Sequence, residues 1–222
     1  MSEGSSTAGD GVNRRRYNAP LRAAKAAQTR RRIVAAAHDL FVSKGYLATT
    51  VDEIAAHAGV SRPTVFVAVG GKPELLKLAR DYAIAGDDEP VPLPQRPMFQ
   101  ELWAEKDGAR KIALYARNMR VVHGRVADIE HVLQASRQAD HELEELGRIA
   151  LEQRRYGCRL VARSLAEQVE LRDGLQTGEV ADVLYAVASP EVFRMLTGTC
   201  GWSPARYERW LAATLTRELL AD

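Results

Sequence analysis

Apolar residues recur at helical spacing along most of the chain. Ile54, Ala55 and Ala58 form one stripe within the segment 51–69, and Leu75, Leu78, Ala79 and Tyr82 form another over 72–84. Helical patterns return at about 98–105, 109–123, 126–138 and 140–171. Two broad apolar faces close the chain, the first carrying Val183, Leu184, Val187, Val192 and Leu196, the second Trp210, Leu211, Leu215 and Leu219. Ser189–Pro190 and Ser203–Pro204 each mark a helix start, a capping serine followed by a first-turn proline, and Trp202 with Tyr207 suits a hydrophobic staple. Between them and the N-terminal patterns, Asp87, Asp88 and Glu89 lead into Pro90, Pro92, Pro94 and Pro97, which excludes a regular helix and predicts an extended connector. No stretch alternates between turn signals as a half-buried strand would, so the predicted fold class is all-α.

The segment VDEIAAHAGVSRPTVFVAV (51–69) predicts two short helices joined by a tight turn. Thr50 caps the first, Glu53 completes a capping box, and Gly59 ends it in the left-handed backbone angle that a side chain resists. Ser61 caps the second, Pro63 costs little in its first turn, and Val65 and Phe66 are expected to point back at the first helix. Arg62, Thr64, Val67 and Ala68 then face outward, a narrow face of the kind that enters a DNA major groove. A helical hairpin that merely packs would share this pattern, and charge separates the two readings. No acid occurs from Gly11 to His38, while Arg14, Arg15, Arg16, Arg22, Lys25, Arg30, Arg31 and Arg32 are all positive. Residues 1–86 carry 13 Lys and Arg against 7 Asp and Glu, a net of +6, and residues 87–222 carry 18 against 22, a net of −4. The overall +2 therefore hides a basic front and an acidic rear, the footprint of a chain that holds phosphate at one end.

These residues, read together, resemble the DNA-binding domain of the TetR family of bacterial transcriptional repressors. In that resemblance Ile33, Ala36, Ala37, Leu40 and Phe41 are the core stripe of the first helix, closed by Gly45 and Tyr46. Thr49 and Thr50 open the second helix, Ile54, Ala55, Ala58, Gly59 and Val60 follow, Ser61, Thr64, Val65 and Phe66 lie on the recognition helix, and Lys72, Glu74 and Leu75 open the fourth. It implies DNA contacts from Thr49, Thr50, Ser61, Arg62, Pro63, Thr64, Phe66, Val67 and Lys72, joined by Arg30 and Arg31. Where the family usually ends its recognition helix in Tyr, a variable position, His or Tyr, then Phe, this chain has Phe66, Val67, Ala68 and Val69, and Pro63 replaces the usual Gly. Fewer phosphate hydrogen bonds are expected from that helix, the shortfall being met by the basic arm, Thr49, Thr50 and Lys72. Arg62 is the candidate for a bidentate guanine contact.

The resemblance also implies an organisation: a disordered to basic arm over 1–24, a helix-turn-helix domain over 25–71, and a helical effector-binding and dimerisation domain over 72–222. Residues 1–13, rich in Ser, Gly and Thr, are expected to be disordered before DNA arrives. A homodimer is expected to pair its terminal helices through Val183, Val187, Leu196, Tyr207, Trp210, Leu211 and Leu215, and its two-fold symmetry predicts a palindromic operator. Trp103, Tyr115, Met119, His123, His131 and Tyr156, with Met98 and Phe99, could line a cavity for a small apolar or aromatic effector, and the same residues would equally make an ordinary helical core. A constitutive activator or architectural protein without an effector is the alternative.

The composition, 46% hydrophobic and 27% charged, fits a soluble chain with a substantial core. The early arginines precede no apolar stretch of signal-peptide length and nothing is long enough to span a membrane, so a cytoplasmic location is expected. Cys158 and Cys200 read as two packed, reduced thiols, with a redox switch as the lesser possibility. Motifs for a zinc protease, a nucleophile elbow, a Cys-x-x-Cys pair or a phosphate-cradling glycine loop are missing, so neither catalysis, a metal nor a cofactor is expected.

Overall fold

The computed structural model of the chain describes residues 10–139 and 141–221, with side chains from residue 21 onward. Four helices make the N-terminal part: α1 (Asp10–Lys44), α2 (Val51–Ala58), α3 (Arg62–Ala68) and α4 (Lys72–Ala85). After a connector with one 3-10 turn at Leu93–Gln95 come α5 (Pro97–Ala104), α6 (Gly108–Ser136), α7 (His141–Gln168), α8 (Thr177–Val187), α9 (Pro190–Arg194) and α10 (Pro204–Leu219). A π-helical turn, Met195–Thr199, prolongs α9. Among the described residues no strand occurs, and one antiparallel pairing joins Leu171 to Leu220.

Helix α6 is the axis of the molecule, packed against α4, α5, α7, α9 and α10. Its continuity departs from the two helices expected at 109–123 and 126–138. Gly124 sits exposed in the middle, while Val122 and Val126 on either side are buried; the roughly 1 kcal/mol that one glycine costs a helix is outweighed by burying those neighbours. Helix α1 also begins earlier than expected. Residues 10–13 and the rest of the arm to residue 24 are helical, and 1–9 lie outside the described residues. Ser189 and Ser203 cap α9 and α10, accepting from Val192 N at 3.1 Å and Arg206 N at 3.2 Å. Trp202 meets the ring of Trp210 edge-on at 6.0 Å.

The proline-rich connector is organised rather than simply extended. Arg96, nearly buried, donates to the Asp87 carboxylate and to the carbonyls of Val91 (3.1 Å) and Glu89 (3.1 Å), so one guanidinium gathers backbone groups that no helix can satisfy. Arg125 of α6 closes α4 in the same way, donating to Ala83 O at 3.0 Å and Ile84 O at 2.9 Å.

Candidate nucleic-acid interface

Helix α1 grips α2 at both ends. At the start, Thr50 Oγ1 accepts from Glu53 N (3.2 Å) and Glu53 Oε2 accepts from Thr50 N (2.9 Å), the reciprocal pair expected of the sequence. Lys44, the last residue of α1, donates to Glu53 Oε1 at 2.7 Å. That bond first, and the Thr50 amide second, hold the Glu53 carboxyl down at about 2. At the far end Gly59 adopts φ +64°, and Arg32 donates to the carbonyls of Ala58 and Gly59. A Cβ on Gly59 would face that guanidinium at 3.0 Å as well as the left-handed strain. Arg32 and Lys44 are legible in the sequence only as positive charge, because their partners lie 26 and 9 residues away.

Helix α3 buries Val65 completely and turns most of its other side chains outward. Phe66 differs from expectation: neighbours on a helix point about 100° apart, so Val65 takes the inward position and Phe66 is left 45% exposed. The Arg62 guanidinium lies over its ring at 5.6 Å. Arg62 Nη1 also donates to Asp52 Oδ2 of α2 at 2.7 Å, so the candidate guanine reader is aimed by a carboxylate across the turn. Ser61 and Thr64 hydroxyls share a hydrogen bond at 2.8 Å. Pro63 is exposed, and Val67 is 90% exposed.

Thr49 requires a correction. It is fully buried, and its hydroxyl donates to Gly45 O at 2.8 Å and Leu40 O at 3.2 Å, which completes the end of α1 and leaves the side chain nothing to offer a phosphate. Thr50 is exposed but its hydroxyl serves the cap. Lys72 Nζ donates to Tyr46 O (2.9 Å) and Thr49 O (3.0 Å) above the Tyr46 ring, fixing a positive charge beside the turn that precedes α2. Arg30 is exposed, and Arg31 Nε is paired with Asp88 Oδ2 of the connector at 2.6 Å.

The residues expected to line one effector cavity are not brought together. Tyr115, Met119 and His123 follow one another along the buried face of α6, whereas Tyr156 points into solvent at 61% exposure. Trp103 packs on Phe99 and donates to Pro94 O at 2.8 Å, bracing the connector. Two open grooves lie instead between α6 and the α9 turn. One, about 440 Å³, includes His123, Asp128, Phe193, Arg194 and Thr197; the other, about 210 Å³, includes Glu130, His131, Gln134, Glu191 and Met195. Ala127, Arg194 and Thr199 border both. Burial lowers His123 to about 3, and its Nδ1 lies 3.3 Å from the Tyr207 hydroxyl. Glu130 faces two ways: it borders a groove, and its Oε2 accepts from Arg80 Nε of α4 at 2.7 Å with both side chains buried.

Three residues expected at a dimer interface are core instead. Tyr207, Leu211 and Leu215 are fully buried within the single chain, on the face α10 turns to α6, because that stripe is what anchors the last helix. Val183, Val187, Leu196 and Trp210 stay partly exposed. Cys158 is buried beside Tyr115, but Cys200 is exposed, not packed. Among the described residues no helix is long and apolar enough to cross a membrane, and no group of His, Cys, Asp and Glu is placed to hold a metal ion.

Residues 33–79 match the model of the bacterial regulatory proteins of the tetR family. The chain is 46% identical over 55 residues to the HTH-type transcriptional regulator SrpR of Pseudomonas putida, a match covering 25% of this chain and 26% of that protein. The same identity and length relate it to the uncharacterized HTH-type transcriptional regulator TtgW, also of Pseudomonas putida, of which 41% is covered. These curated relatives are thus matched over less than half their length. Whole-chain likeness comes from solved structures. A Saccharomonospora viridis protein assigned as a transcriptional regulator, in complex with choline, superposes with TM-score 0.66 at 19% identity, covering 88% of this chain and 99% of that one. NalD of Pseudomonas aeruginosa, the secondary repressor of the MexAB-OprM multidrug efflux pump, gives 0.65 at 21% identity, covering 88% and 98%. At these identities the likeness is one of fold.

Proposed function

We propose that the chain, whose residues 33–79 match the tetR-family model, is a TetR-type DNA-binding regulator rather than an enzyme, and that it represses as a homodimer on a palindromic operator and is released by a small molecule. Arg62, Pro63, Thr64, Phe66 and Val67 present the reading face, Ser61 and Thr50 hold it by their caps, and Arg30, Arg31 and Lys72 supply positive charge to the phosphates. Val183, Val187, Leu196 and Trp210 are the apolar groups left for a second subunit. The effector's seat is the pair of grooves along α6 and α9, where Phe193, Met195 and Ala127 offer apolar walls and His123, His131 and Glu130 offer polar anchors.

The observation that carries the release step is the double engagement of Glu130. A ligand that draws on its carboxylate in the groove weakens the bond to Arg80, and α4, which carries Arg80, packs on α1 beneath the reading head. Coupling of this kind is reciprocal: operator must weaken the effector's binding by the factor that effector weakens operator's. The test titrates candidate ligands into a complex of the full chain with a duplex selected from a random pool. A releasing ligand should lower operator affinity in the native protein and leave Glu130→Gln insensitive; a saturating ligand without effect is ruled out as effector, and release undiminished in Glu130→Gln would refute the relay. Burial of Tyr115 and Met119 in the core favours the constitutive alternative, for which no ligand that occupies the grooves changes operator affinity. Sedimentation of the free chain as a monomer at micromolar concentration would refute the homodimer.

A further inference from the structure

Resting on the reading that α3 enters the major groove, we infer that Val67 recognises the 5-methyl group of a thymine, one in each operator half-site. On the outward face of α3, Val67 has 90% of its surface in water, against 45% for Phe66. Its neighbours there are already engaged: Arg62 is held by Asp52 and lies over Phe66, and the Ser61 and Thr64 hydroxyls bind each other. Pro63, one turn earlier on the same side, is also exposed, so a short aliphatic ridge runs along the helix. The ridge carries no hydrogen-bonding group. On the base edges of the major groove the one apolar feature is the thymine methyl, so an aliphatic ridge can discriminate bases only through it. Valine suits the task because branching at Cβ holds its two methyls largely in one rotamer on a helix, so little rotamer freedom is lost when they meet the base.

The full-length protein and a duplex recovered from a random pool provide the test. Each thymine is replaced in turn by deoxyuridine, which removes one methyl and leaves every hydrogen bond in place. One thymine per half-site should then be found where the replacement weakens the native protein about fourfold, the effect of withdrawing one buried carbon group. Val67→Ala should be indifferent to the same replacement, and because the side chain is solvent-exposed this variant keeps its fold. The inference is overturned when no thymine responds, or when the responding thymine matters equally to Val67→Ala. A pool that yields no bound duplex overturns the DNA-binding reading itself, a different failure from the first two.

Discussion

His123 shows how one buried group sets the response of the protein to acid. Its imidazole is held neutral to about 3, against 6.5 for the ordinary side chain, so below 6.5 the unfolded chain takes up a proton that the folded chain refuses. Above that value it has no effect on stability, and the loss grows as pH falls from 6.5 towards 3. At pH 5 it should reach about 2 kcal/mol in urea denaturation, and His123→Gln should flatten the difference between pH 7.5 and pH 5. Glu53 acts at lower pH. Its carboxyl sits at about 2 rather than 4.5, so its contribution is complete above 4.5 and disappears as pH falls through 2. On the reading face, Arg62→Ala should cost about 1 to 3 kcal/mol on the selected operator and blur its preferred base, measured by repeating the selection with the variant. Asp52→Asn should blur it less, since it removes the group that aims Arg62 and not the reader.

At the scale of elements, the helices whose starts carry capping residues are the most legible in the sequence. Thr50 with Glu53, Ser61, Ser189 and Ser203 all cap as their spacing predicts, because a cap is decided within four residues. The features that depart from expectation depend on partners far along the chain. Thr49 is buried through Leu40 and Gly45, and the terminal stripe of Tyr207, Leu211 and Leu215 is covered by α6, far earlier in the sequence. An apolar face declares that it will be covered but not by which surface, so a subunit core and a dimer interface read alike in sequence. Gly124 reads as a break for a related reason: its local preference is real but weak against the packing of α6. Gly124→Ala should raise stability by about 0.5 to 1 kcal/mol in urea denaturation, since an added Cβ meets no atom within 4 Å. Arg80→Met should lower it by about 3 to 5 kcal/mol by stranding Glu130, and the double variant Arg80→Met, Glu130→Leu should recover most of that loss.

The whole molecule sets a basic front against an acidic rear, and the connector brings the two into contact. Asp88 lies on the acidic side and holds Arg31 of α1 at 2.6 Å. A DNA phosphate that recruits Arg31 therefore displaces a carboxylate, which then gathers a sodium ion from solution, so the exchange liberates little salt. Asp88→Asn should tighten binding to unrelated duplexes at low ionic strength and steepen the plot of log affinity against log salt by about 0.9. If Arg31 contacts DNA as proposed, native Asp88 acts as a tethered rival to the nucleic acid. It taxes attachment to arbitrary sequence, where charge is the main attraction, more heavily than attachment to the true site, where base contacts add to it, and so sharpens the choice of target from a position that touches no base.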